Sequence, residues 1–115
     1  MSETIFSKII RKEIPADIVY ENEIVIAFRD INPKAPVHIL IIPKVEIPSV
    51  TKINSKEHSE LLGQLFDAVN SIARNLGIDS DGFRLVINSG INGGQEVYHL
   101  HIHLLGGRKM NWPPG

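Results

Sequence analysis

Three histidines stand at alternate positions in Tyr98-His99-Leu100-His101-Ile102-His103-Leu104-Leu105, with apolar residues between them. In an extended strand successive side chains point to opposite faces. The spacing therefore puts His99, His101 and His103 on one face and Leu100, Ile102 and Leu104 on the other. Neighbouring imidazoles are then roughly 6.6 Å apart, close enough for adjacent rings to act on one ligand. A helix would scatter the same residues around its circumference.

Two chemistries suit such a row. Neutral histidines ligate metals, and three of them make a catalytic zinc set. However, the strand holds no Glu or Asp to orient a ligand or serve as base. The other chemistry is phosphoryl transfer, and the preceding loop favours it. Gly93-Gly94 can leave backbone N–H groups unshielded, forming an anion-binding concavity a few residues before the imidazoles. With pKa values near 6.5, neighbouring rings can be neutral and protonated side by side at neutral pH. The neutral ring is then the nucleophile, while cationic ones neutralise phosphate or protonate a leaving group. No metal or other cofactor is required. A purely structural role would demand that three aligned histidines be buried and satisfied together.

The elements that must position these residues read as α+β. Ile5, Phe6, Ile9 and Ile10 recur at helical spacing and predict a short helix ending before Pro15. Ile18–Tyr20 and Ile24–Arg29 read as strands, with Glu21-Asn22-Glu23 turning between them. Asp30–Pro36 is a loop with two prolines, and Val37–Ile42 is an apolar run broken by His38 and closed by Pro43, hence a buried central strand. Taken alone, His38 reads as a structural histidine. Asn54-Ser55-Lys56-Glu57 fits a helix cap, and Leu61, Leu62, Leu65, Phe66, Val69, Ile72, Ala73 and Leu76 follow the helical period up to Gly77. Phe83–Asn88 is a strand, and Ser89–Gly94 a flexible loop leading into the histidine strand. The long helix is expected against the Leu100/Ile102/Leu104 face of an antiparallel sheet.

Composition narrows the partners. The 115 residues suit one domain spanning the whole chain. A net charge of -1 gives no electrostatic argument for nucleic acid or an anionic membrane. No apolar stretch approaches membrane-spanning length. Met1-Ser2-Glu3-Thr4 lacks the basic start and apolar run of a secretory signal. Without cysteine there is no thiolate ligand, nucleophile or disulfide; a cytoplasmic location is the default, which the absence of cysteine permits.

The segment Gly93-Gly94-Gln95-Glu96-Val97-Tyr98-His99-Leu100-His101-Ile102-His103-Leu104-Leu105-Gly106-Gly107-Arg108 resembles the signature of the histidine triad (HIT) superfamily, closest to its Hint branch. So do Thr4–Pro15, Ala27–Ile31, Pro36–Pro43 and Trp112-Pro113-Pro114-Gly115, so the likeness covers essentially the whole chain. It implies a HIT-like sheet of about five strands with one long and one short helix, joined to a second sheet in a homodimer. It also implies hydrolysis of purine nucleoside 5′-phosphoramidates to AMP or GMP and an amine. By matching position, His101 would be the nucleophile that forms a nucleotidyl-histidine. His103 would bind phosphate beside it, His99 would hold the geometry, and His38 would join the proton network. Asp30 would accept from the ribose hydroxyls. Phe6, Ile9, Phe28 and Ile31 would form the base slot. Asn88 and the Gly94 and Val97 backbone would contact phosphate, and Trp112 would reach toward the partner subunit's site.

One position departs from part of that branch. Glu96 stands where some members carry serine, and an ionised carboxylate cannot donate to phosphate. Leaving-group preference is the property this bears on. Three alternatives accompany the phosphoramidase expectation: a dinucleoside polyphosphate hydrolase, a purine-nucleotide-binding regulatory partner with incidental turnover, and a zinc protein.

Overall fold

The computed structural model describes residues 3–115. Met1 and Ser2, where the N-terminal segment read for a secretory signal begins, lie outside them. Five strands form one antiparallel sheet: β1 Ile18–Glu21, β2 Val25–Arg29, β3 Val37–Pro43, β4 Phe83–Val86 and β5 Ile102–Gly106. Their spatial order is β1-β2-β3-β5-β4. β3 lies at the centre with every residue from His38 to Pro43 buried, because both faces of the sheet are covered. That is why its sequence reads as an apolar run rather than an alternation.

The two faces carry different helices. Val25, Ala27, Ile39, Ile41, Leu100, Ile102 and Leu104 pack against the long helix α2, Ser55–Asn75, through Leu61, Leu65, Ala68, Val69, Ile72 and Ala73. Ile26, Phe28, Leu40 and Ile42 pack against Phe6 and Ile9 of the short helix α1, Ile5–Ile10. No described helix is long and apolar enough to cross a membrane. Each helix starts where its cap residue dictates. Thr4 and Ser7 bond reciprocally at the start of α1. Asn54 accepts the Glu57 N–H at 2.8 Å and donates its amide to the Glu57 carboxylate at 2.8 Å. Gly77, at φ +72, follows the end of α2 in a conformation that suits glycine. Leu62 and Phe66 sit on the flank of the apolar stripe rather than in it; Phe66 is 46% exposed. One position further round the helix than Leu61 and Leu65, Leu62 packs only partly against the core and Phe66 turns to its edge.

Three segments differ from the expected pattern. The histidine strand is shorter than its alternation predicts, since β5 begins at Ile102 and His99–His101 form an irregular lead-in. Pro43 has no N–H to extend its ladder, and its carbonyl accepts from the His99 side chain instead. The Leu100 N–H turns to the Ile47 carbonyl at 2.6 Å. β4 correspondingly ends at Val86, opposite His103, rather than at Asn88. Ser89–Gly94 is not an open loop: Gly90–Gly93 make one helical turn, α3.

Ile41 is fully buried on the α2 face opposite Ile102. Ile41→Ala is expected to lower the unfolding free energy in urea by about 2–5 kcal/mol. A loss below about 1 kcal/mol would contradict the packing described.

Candidate active site

On the α1 face a cavity of about 410 Å³ opens between the helix, the sheet and the α3 turn. One end is apolar: Phe6 and Ile9 from α1, Phe28 and Leu40 from adjacent strands, and Ile31 from the loop after β2. Ile31 is 96% exposed, an apolar side chain left in solvent at the rim. The other end is polar, with Asp30, Asn88, Gly94, Glu96, Val97, His101 and His103. Eleven of the fourteen residues assigned to the site from sequence therefore meet around one cavity. His99 lies behind it, His38 lines a neighbouring cavity, and Trp112 stands elsewhere.

The ring nitrogens can be assigned from their partners, because a backbone carbonyl only accepts and a backbone N–H only donates. His99 Nε2–H donates to the Pro43 carbonyl at 2.7 Å. His101 Nδ1–H donates to the His99 carbonyl at 2.7 Å. Neutral His101 thus keeps the lone pair on Nε2. A second series runs the other way. The Lys34 N–H donates to His38 Nδ1 at 3.0 Å, so the proton of His38 is on Nε2. That N–H faces His103 Nδ1 at 2.9 Å and the Asp30 carboxylate at 3.4 Å. His103 Nδ1 accepts, which leaves its proton on Nε2. His101 and His103 stand with ring centroids 4.9 Å apart. One offers a lone pair and the other an N–H.

Burial shapes the electrostatics. The Phe6 ring stands edge-on to His101 at 5.1 Å between centroids, which helps exclude water from that imidazole. Desolvation pushes His38, His99 and His101 below the usual imidazole value. His103 is lowered to about 4, first by burial and then by His101 and His38 beside it. This corrects the expectation of a neutral ring beside a charged one. In the free protein a further proton on His38 or His103 would break the Lys34 or the His38–His103 hydrogen bond, so the neutral forms are preferred.

The glycine loop also differs in detail. Gly94, at φ +79, closes α3 with its N–H on the Ile91 carbonyl, and the Gln95 N–H bonds to Gly90. The N–H groups next in line, those of Glu96 and Val97, have no backbone partner among the described residues. Both residues line the cavity. The N–H groups without a backbone partner therefore fall just after the glycine pair rather than on it. Gln95 is one residue that sequence reasoning does not single out. It is 6% exposed, donates to the Pro48 and Val97 carbonyls, and accepts the Gly90 N–H. One amide thus pins both ends of the turn. Leu40 was also missed, although its register opposite Phe28 places it on the slot's face. Trp112 is 81% exposed and lies 5.9 Å from Arg84 on β4, away from its own chain's cavity.

The lowered imidazoles fix the sign of the acid response. Below about pH 6.5 the unfolded chain binds protons that the folded rings refuse, so stability falls with pH until the folded values are reached. The urea midpoint is expected to be lower at pH 5 than at pH 7, with His103→Asn reducing the difference. Equal or greater stability at pH 5 would contradict this.

Known proteins share this architecture. The HIT domain profile matches residues 11–110. The purine nucleoside phosphoramidase of Escherichia coli (strain K12) is 57% identical over 108 residues, covering 94% of this chain and 90% of that protein. A 14 kDa zinc-binding protein of Zea mays is 57% identical over 116 residues, covering 99% and 89%. The crystal structure of a HIT family hydrolase from Legionella pneumophila Philadelphia 1 matches with a TM-score of 0.95 at 49% identity, covering 98% of this chain and 100% of that one.

The Zea mays name makes zinc a group to test against these donors. Asp30, His38 and His103 offer ligand atoms within 4.8 Å of one another. However, His38 Nε2 and His103 Nδ1 are 2.9 Å apart, closer than the ~3.3 Å implied by tetrahedral Zn–N bonds of about 2.0–2.1 Å. Ligation through His38 Nε2 would also force its proton onto Nδ1, against the Lys34 N–H. These residues fit a hydrogen-bond chain and do not fit zinc. In sequence, sheet order and histidine arrangement, the chain belongs to the HIT domain family.

Proposed function

We propose that the chain hydrolyses purine nucleoside 5′-phosphoramidates, with His101 as nucleophile. The observation that carries this is the bond from His101 Nδ1–H to the His99 carbonyl, which leaves Nε2 unprotonated at the polar end of a nucleotide-sized cavity. The Escherichia coli relative named purine nucleoside phosphoramidase supports the substrate class. The apolar end takes the purine, Asp30 the ribose hydroxyls, and Asn88 with the Glu96 and Val97 amides the phosphate.

His101 Nε2 bonds to the α-phosphorus as the P–N bond breaks, and the nitrogen takes a proton and leaves as the amine. Water then bonds to phosphorus, the P–Nε2 bond breaks, and its electron pair returns to His101. In sum, a phosphoramidate monoanion and water give a nucleoside monophosphate dianion and an ammonium ion. His103 Nε2–H donates to a phosphoryl oxygen. Because a bound anion raises the proton affinity of a nearby imidazole, the proton needed by the leaving nitrogen is taken up with the substrate. No residue in this scheme acts through a metal.

The working unit is a homodimer in this reading. β4 is an edge strand, and Ile87 beyond it, Phe66 on α2 and Trp112 in the tail are exposed apolar groups. Pairing two chains along these surfaces covers them and brings Trp112 toward the partner's cavity. A nucleotide substrate is met in the cytoplasm, where we place the activity.

The test is turnover of adenosine 5′-phosphoramidate with chelator present. The parent is expected to hydrolyse it faster than diadenosine polyphosphates. His101→Ala should lose at least about a thousandfold in kcat while still binding AMP. Parent-like turnover in His101→Ala, or dependence on added zinc, would overturn the reading. Sedimentation should give a dimer, and a monomer at micromolar concentration would remove Trp112 from the site.

A further inference from the structure

A second cavity, about 330 Å³, adjoins the first across His103. Asp30, Asn88, Glu96 and His103 belong to the walls of both, so the two meet where phosphorus would sit. The His103 ring stands between His101 and His38, with centroids at 4.9 and 5.2 Å. His38 lines only the second cavity. In-line displacement places the leaving group across phosphorus from the attacking atom. With the nucleoside in the first cavity and His101 attacking, the path away from the nucleophile runs past His103 into the second.

The charge in that cavity is unevenly committed. The Asp30 carboxylate already accepts the Asn32 N–H at 2.8 Å and faces His38 at 3.4 Å. Glu96 forms no ion pair with any described residue; Lys34, the described cation in the same cavity, is not within pairing distance of it. An ionised carboxylate turned to phosphate would repel it, so Glu96 suits the end of the substrate that carries positive charge.

We propose that the second cavity receives the amine portion of the substrate and that Glu96 makes it select amines carrying an additional positive charge, such as a diamine or a basic amino acid. The inference rests on the phosphoramidase reading and adds the leaving-group class to it. Glu96 is exposed at the rim, so the preference is modest and sensitive to salt.

The test compares kcat/KM for two adenosine 5′-phosphoramidates, one made with 1,5-diaminopentane and one with hexylamine, with the unsubstituted phosphoramidate as reference. At low ionic strength the parent is expected to favour the diamine adduct by about fivefold, and less so in high salt. Glu96→Gln should bring the ratio near one, and Glu96→Lys should invert it. An unchanged ratio in both variants, or a parent ratio of one, with the reference still hydrolysed, overturns the proposal alone. Failure to hydrolyse the reference overturns the phosphoramidase reading and this proposal with it.

Discussion

The hydrogen bond from His101 Nδ1 to the carbonyl two residues earlier is the constraint on which the rest of the site depends. A free imidazole exchanges its proton between two nitrogens, and only one tautomer presents a lone pair to the cavity. A carbonyl cannot donate, so the bond selects that tautomer permanently. The carbonyl is itself held, because the His99 ring is anchored to Pro43 at the end of the central strand. The orientation of one nitrogen is thereby referred to the most deeply buried part of the sheet. Burial has the same effect on charge: removing water from these rings disfavours the imidazolium, which is not a nucleophile.

The Lys34–His38–His103 series uses the opposite logic. It begins with a backbone N–H, which can only donate, so each ring along it is turned the other way and the series ends in an N–H. The loop that supplies this donor runs from Asp30 to Pro36, and its prolines restrict it before the strand begins. Two neighbouring histidines of the same sequence repeat therefore differ in chemistry because one is referred to a carbonyl and the other to an amide. The short His38–His103 contact in that series also makes it a poor zinc site. Glycine conformation matters chiefly at Gly94, whose left-handed backbone closes the α3 turn ahead of Glu96 and Val97, which line the cavity.

Much of the frame was legible in the chain itself. Alternation in Leu100–Leu104 identified the face that meets α2, and the helical period of Leu61–Leu76 identified its partner. The apolar Phe6, Ile9, Phe28 and Ile31 do converge on one slot. What escaped depends on contacts distant in sequence. The lead-in at His99–His101 leaves the ladder because of Pro43 and Ile47, more than fifty residues away. Gln95 reads as one more polar loop residue until its amide is seen bridging Gly90, Pro48 and Val97. The protonation of the histidines was misread because unperturbed imidazole values ignore burial among Phe6 and neighbouring rings. Trp112 lies away from its own chain's histidine cavity, beside Arg84 on β4.

The most direct measurement is the tautomeric state of each ring by 15N NMR of histidine-labelled protein at neutral pH. His101 is expected to be neutral with the proton on Nδ1, and His38 and His103 neutral with their protons on Nε2. A His101 protonated on Nε2, or charged in the free protein, would leave no lone pair facing the cavity and would contradict the account at its base.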